Sequence, residues 1–187
     1  MYADDLKLYS KIGSISDVIN LQHSLDALAS WCQRNRLQLN VSKCRTISFH
    51  RKRNPIQFSY SVNSTALERV TELRDLGVYF DEKISFNKHI DIIVAKAYSM
   101  LGFMKRICYE FTDPLALKSV YFAYVRSHLE YGSVIWHPNY AVHSDRIESL
   151  QKKFLIYALR RQYSREDFVL PRVFKCSTQK FLHFFCI

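Results

Sequence analysis

The sequence predicts an α+β fold in which strands and helices are segregated along the chain. Three observations carry this. Up to about residue 82, apolar and polar residues alternate in short runs broken by turn residues, the period of half-buried strands. From about residue 85 to 163, apolar residues recur at spacings of three and four, the period of amphipathic helices. Hydrophobic residues make up 48% of the 187 residues and aromatics 14%, which supports a sizeable core and argues against wholesale disorder.

The elements follow in order. Tyr2-Ala3-Asp4-Asp5, then Leu6, Leu8 and Ile12 at mostly period two, read as the tail of a strand, an acidic turn and a returning strand. A lone hairpin is marginal in water, and its natural sheet partners are missing upstream, which suggests a fragment. Ser14 and Asp17 open a helix with a capping-box-like start, and Val18, Leu21, Leu25, Leu28 and Cys32 line one face until about Asn35. Leu37, Leu39 and Val41 alternate with polar residues. Thr46-Ile47-Ser48-Phe49 reads as a strand, Arg51 to Pro55 as a turn, Phe58, Tyr60 and Val62 as a second alternation, and Leu76-Gly77-Val78-Tyr79-Phe80 as another strand. Three helical stripes then follow. Ile90, Ile93, Ala97, Leu101, Met104 and Ile107 form the first. After Thr112-Asp113-Pro114, with proline suited to a first helical turn, Leu117, Tyr121, Tyr124 and Leu129 form the second; after His137-Pro138-Asn139, Ile147, Leu150, Phe154 and Ala158 form the third.

Composition narrows the function. Twenty-seven basic and 17 acidic residues leave a formal charge of +10, which suits an anionic partner, nucleic acid or an anionic membrane face. No GxxxxGK[ST] or GxGxxG loop is present, which excludes Walker and Rossmann phosphate cradles. No apolar run approaches the roughly 20 residues of a transmembrane helix, and no signal peptide opens the chain. Five cysteines, an odd number without a CxxC pair, read as free thiols of a reducing, intracellular compartment, nuclear or cytoplasmic. His137 and His143 lie in one loop without nearby cysteines and read as solvated, and no nucleophile motif surrounds any serine or cysteine.

The adjacent carboxylates of Asp4 and Asp5 are the sharpest chemical signal. At a hairpin they repel each other, and a divalent cation that takes hard oxygen ligands relieves the repulsion. Mg²⁺ held by one or two carboxylates and substrate phosphates points to phosphoryl or nucleotidyl transfer by a two-metal mechanism, although an Asp-Asp pair is also an ordinary turn signal. The basic residues cluster twice: Lys43, Arg45, Arg51, Lys52 and Arg53 fall within eleven positions without an acid, and Lys152, Lys153, Arg160, Arg161 and Arg165 gather at the last helix. Tyr121, Tyr124, Tyr131 and Trp136 lie between them, as core residues or as platforms for bases.

Context strengthens the metal-dependent transfer reading. YADDLKLY at 2–9, the Trp31-Cys32 helix running into LQLNVSKC, ELRDLGVYFDEKISFNKHI at 72–90, and the helices AKAYSMLGFMKR, LKSVYFAYVRSHLEYGSVIWHP and RIESLQKKFLIYALR occur in one order. This chain resembles the reverse transcriptases of non-LTR (LINE-type, jockey-like) retrotransposons over about residues 1 to 170. The resemblance implies a partial polymerase palm at 1–82, with the YADD hairpin and a primer-grip strand. It implies an all-helical thumb at 83–165 and a divergent tail at 166–187. It makes Asp4 and Asp5 the Mg²⁺ ligands and catalytic acids, with Lys43 beside the triphosphate, where it donates a proton to the leaving pyrophosphate or neutralises its charge; a solvated surface lysine is the other reading. Tyr2 would touch primer or incoming nucleotide, and the backbone of Leu76, Gly77 and Val78 would support the primer end. Arg51, Lys52, Arg53, Lys152, Lys153, Arg160 and Arg161 would track nucleic-acid phosphates. The implied partners are an RNA template, a DNA primer and, in the intact enzyme, dNTPs, with no membrane. The family's fingers and a further palm carboxylate would lie upstream of Met1, so polymerisation by this chain alone is not expected. The alternative is a catalytically dead remnant that acts at most as a basic nucleic-acid-binding module. Past Pro171 the family pattern is lost, which suggests a frame change or premature end near Arg172.

Overall fold

A computed structural model describes residues 6–51, 53, 55–138 and 140–162. The expectations for Met1 to Asp5, Lys52 and the tail at 166–187 therefore lie outside the described residues. The class is α+β, as predicted, with small sheets followed by helices. The described residues form two compact units, one up to Asp75 with Tyr79–Ser85, the other of Leu76–Val78 with the residues from Phe86 onward.

In the first unit, α1 (Ile15–Arg34) starts at the expected cap: the Asp17 amide donates to Ser14 Oγ at 3.4 Å and the Ser14 amide donates to the Asp17 carboxylate at 2.9 Å. Each bond satisfies an amide that the first helical turn leaves unpaired. Donation to the Asp17 carboxylate by the Gly13 amide first, then by the Ser14 hydroxyl and amide, holds that carboxyl below its usual range. α1 buries Val18, Ala29 and Cys32. Its Gln22 acts as a strand edge, donating to the Ser61 carbonyl at 2.9 Å and accepting from the Ser61 amide at 3.1 Å.

The strands are shorter than the alternation predicts. β1 (Arg45–Thr46) pairs in parallel with β4 (Glu68–Arg69), and β2 (Ser61–Val62) pairs antiparallel with β3 (Thr65–Ala66) around Asn63-Ser64. β5 (Glu72–Asp75) and β6 (Val78–Asp81) form a third pair. Leu6 to Ile12 carry no strand, and Val41–Lys43 is a 3₁₀ turn rather than part of an extended run. Side chains replace the missing ladders: Arg69 donates to Ser48 Oγ at 2.7 Å and to the Phe58 carbonyl at 2.8 Å, joining loops that alternation alone would call strands.

In the second unit, α2 (Asn87–Ile107) buries Ile90, Ile93, Val94, Ala97, Leu101 and Met104, while Ile107 is exposed at the helix end. α3 (Pro114–Tyr121) is capped by Asp113, which accepts from the amides of Leu115 and Ala116 with proline in the first turn. A π-helical turn (Phe122–Arg126) joins it to α4 (Ser127–Glu130). This corrects the second stripe: Leu117, Tyr121, Val125 and Leu129 are buried, and Tyr124 is 54% exposed. A four-residue step drifts about 40° around an α-helix, and the wider turn absorbs the drift. α5 (Ser133–Trp136) and α6 (Ala141–Gln162) complete the unit, with Ile147, Leu150 and Phe154 buried as expected. Tyr121 stacks on Phe154 at 3.9 Å, and burial pushes its phenol up to about 12.

The register makes a testable contrast. Val125→Ala should lower stability by about 2 kcal/mol, from two lost carbons and a residual cavity. Tyr124→Ala should change it by less than about 0.5 kcal/mol. Urea unfolding followed by circular dichroism checks both; equal losses would place Tyr124 in the core.

Candidate functional site

The expected metal ligands Asp4 and Asp5, and Tyr2 beside them, lie outside the described residues. Among the described residues, no group of three or more His, Cys, Asp or Glu side chains is placed to hold a metal. Lys43 ends the 3₁₀ turn with its side chain exposed, and Arg51 and Arg53 are exposed on the following loop. Arg45, the intervening basic residue, is engaged with Glu68 at 3.0 Å.

Of the residues expected within one strand, Val78 opens β6 as expected, whereas Leu76 and Gly77 form the β5–β6 turn before it. Leu76 (φ 44°) and Gly77 (φ 86°) are both left-handed, the pairing that a two-residue hairpin turn needs. Within the helical unit this tip is closely packed. Tyr131 Oη donates to the Leu76 carbonyl at 2.8 Å. Its ring covers Gly77 so closely that a Cβ there would lie 3.2 Å from Tyr131 Cε1. Gly132, also left-handed, meets Val78 the same way, a Cβ falling 3.2 Å from Val78 Cγ2. Trp136 Nε1 donates to the Tyr131 carbonyl at 2.8 Å, and the buried Trp136 ring lies edge-on to His89 at 5.3 Å. Burial first, and Lys96 second, hold His89 below the usual imidazole range. Of the aromatics proposed as platforms, Tyr121 and Trp136 are core, whereas Tyr124 and Tyr131 are exposed.

Of the α6 cations, Lys153 and Arg160 come close to α2, whereas Arg161 and Lys152 engage partners on α6 itself. Lys153 Nζ sits 4.6 Å from the Tyr98 ring centroid, and the Arg161 guanidinium 5.9 Å from that of Tyr157. Lys152 faces Glu148 at 4.0 Å, and Arg160 is exposed. Lys105, on the last turn of α2, joins them with its Nζ 5.5 Å from the Tyr157 ring. Burial, then Lys153, then Arg160, pull the Lys105 ammonium below the usual lysine range. The expected cation set did not include Lys105, because only helix packing brings it to α6; its signal was the Lys105-Arg106 pair closing the first helical stripe. His143, read as solvated, instead meets Asn87 Oδ1 through Nε2 at 2.8 Å. No helix among the described residues is long and apolar enough to cross a membrane.

The sequence relatives agree with the motif reading. The chain is 30% identical over 92 residues to an RNA-directed DNA polymerase from mobile element jockey of Drosophila funebris, covering 48% of this chain and 10% of the relative. It is 26% identical over 156 residues to a probable RNA-directed DNA polymerase from transposon BS of Drosophila melanogaster, covering 81% of this chain and 17% of the relative. The jockey polymerase of Drosophila melanogaster is 29% identical over 90 residues, covering 48% of this chain and 10% of the relative. The chain thus spans about a tenth to a sixth of these relatives. No family model matches it, and no solved structure does. The chain is related in sequence to the RNA-directed DNA polymerases of jockey- and BS-type mobile elements, as its motif order implies.

The crowding at Lys105 has a measurable sign. A lysine whose folded pKa lies below its unfolded value destabilises the fold while both states are protonated, and the penalty fades as pH rises through the folded pKa toward the unfolded one. Lys105→Met should therefore raise the thermal midpoint at neutral pH, and the gain should shrink as pH approaches the lysine range. A gain that is independent of pH would reduce Lys105 to a packing position.

Proposed function

We propose that this chain is the part of a reverse transcriptase that holds the catalytic aspartate turn, the primer-supporting hairpin and the helical thumb. The observation that carries this is the similarity to RNA-directed DNA polymerases, which extends over 81% of the chain in one case. Asp4 and Asp5 supply adjacent hard oxygens, a donor set that suits Mg²⁺; bound there, the metal would activate the primer hydroxyl and steady the charge leaving on pyrophosphate. Lys43 stands ready to neutralise or protonate that leaving group. Leu76, Gly77 and Val78 offer backbone to the primer end. Arg51, Lys52, Arg53, Lys152, Lys153, Arg160 and Arg161, with Lys105 added, offer positive charge to the phosphates of a template–primer duplex, an RNA template with a DNA primer. Such contacts position a duplex without reading its sequence. dNTP binding and a further carboxylate belong to other segments of the intact enzyme, so the isolated 187 residues bind without polymerising.

A second reading, a basic nucleic-acid-binding remnant without catalysis, is favoured by the α2–α6 seam. Its cations require neither aspartate.

Both readings predict salt-sensitive binding. The purified chain should bind a DNA template–primer duplex with an affinity that falls log-linearly with salt. Lys153→Gln combined with Arg160→Gln should flatten that slope by about 0.9 for each phosphate contact removed. Fluorescence anisotropy across a salt series checks this, and a slope unchanged by the pair would remove the seam from the interface. Added Mg²⁺ and dNTPs should yield no primer extension, and extension by the chain alone would overturn the division of labour proposed here.

A further inference from the structure

Tyr131 stands at the corner between α4 and α5 with 59% of its surface in solvent. Its hydroxyl nevertheless donates to a backbone carbonyl, that of Leu76, at 2.8 Å. Leu76 is left-handed at φ 44°, a conformation that non-glycine residues seldom adopt and that surrounding structure must impose. Tyr131 imposes it from two directions: the hydroxyl fixes the Leu76 carbonyl, and the ring closes over the bare face of Gly77. The tyrosine is itself fixed. Its amide donates to the Ser127 carbonyl at 3.1 Å, and its carbonyl accepts from Trp136 Nε1 at 2.8 Å. Trp136 is 2% exposed and leans on the equally buried His89. A line of contacts therefore runs from the helical core to the tip of the hairpin. Two-residue tips are ordinarily among the first backbone segments to open, and this one is clamped by a residue far away in sequence.

We infer that Tyr131 is the positioning residue for the Leu76–Val78 tip, holding its backbone in the one shape that supports the 3′ end of a nucleic-acid strand. This rests on the primer-supporting role proposed for the tip above. Tyr131 acts through the tip. The α2–α6 cations supply charge whatever the strand end looks like, whereas the clamped tip distinguishes a recessed 3′ end from a blunt one.

The test uses the intact 187-residue chain, Tyr131→Phe, which removes only the hydroxyl from an exposed ring, and Gly77→Ala, whose Cβ crowds the ring at 3.2 Å and strains the left-handed backbone. Two DNA duplexes with equal numbers of phosphates serve as probes, one with a recessed 3′ end and one blunt. Amide exchange at Leu76–Val78 reads the clamp, and anisotropy reads the preference between duplexes. Tyr131→Phe should speed exchange at the tip about three- to tenfold, the range of one net hydrogen bond, and Gly77→Ala at least as much. Tyr131→Phe should reduce the preference for the recessed end by a similar factor, leaving blunt-duplex affinity and its salt slope unchanged, and Gly77→Ala should reduce that preference at least as far. Faster exchange with the preference intact would make Tyr131 merely structural and overturn the inference while the primer-support reading stands. Unchanged exchange would overturn the clamp. A wild-type chain with no preference between the duplexes would overturn the primer-support reading, and the inference with it.

Discussion

One face of α2 carries the helical unit. Ile90, Ile93, Val94, Ala97, Leu101 and Met104 are each at most 7% exposed, and Ala97 at 0% allows close approach at the middle of the helix. Burying such side chains supplies about 1.5–3 kcal/mol for each of the larger ones. Both surfaces proposed to meet nucleic acid depend on where this helix ends. Near its start, His89 supports Trp136, and through it the Tyr131 corner and the hairpin tip. At its finish, Lys105 meets the α6 cations, and Cys108, just beyond, accepts from Tyr157 Oη at 3.1 Å. A shift of α2 along its axis would disturb the tip and the cationic seam together.

The segment leading into α2 is strained where the motif reading puts its most specific residues. Leu76, Ile84 and Phe86 all have positive φ, and for bulky or β-branched residues such conformations cost about 1–3 kcal/mol each. In the strand-bearing unit the compensation comes from Asp81. It accepts from the Lys83 amide at 2.8 Å, the Ser85 amide at 2.9 Å and the Ser85 hydroxyl at 2.8 Å, fixing the bend that Ile84 occupies. In the helical unit Tyr131 does the same for Leu76. Short polar contacts thus hold a backbone that local preference would not choose, which makes the segment a candidate for function.

Much of the fold was legible in the sequence because its signals are local. The capping box at Ser14 and Asp17, the proline after Asp113 and the three- and four-residue stripe of α2 each arise within a few residues, and each appears where the pattern puts it. What was not legible depends on partners distant in sequence. Thr46 to Phe49 alternate well, yet the ladder stops at Thr46 because its partner β4 is only two residues long and runs parallel. Tyr124 and Val125 are both plausible core residues, and only the wider turn decides between them. The site behaves likewise. The α6 cations were legible as a cluster, whereas Lys105 is brought to them by helix packing and Tyr131 is singled out by its contacts with Leu76 and Gly77, all distant in sequence.

The proposal at stake is that Leu76–Val78 supports a primer end while the cations around Lys105 and α6 hold the duplex by charge. The most direct measurement is photo-cross-linking from a reactive base at the 3′-terminal nucleotide of the primer, with the attached peptides read by mass spectrometry. The account predicts that adducts concentrate on Leu76–Val78 and Tyr131, while a reactive group placed several base pairs back along the duplex marks Lys105 and α6. Adducts from the 3′ terminus that spread over the lysine- and arginine-rich surfaces, with none at the tip, would contradict it.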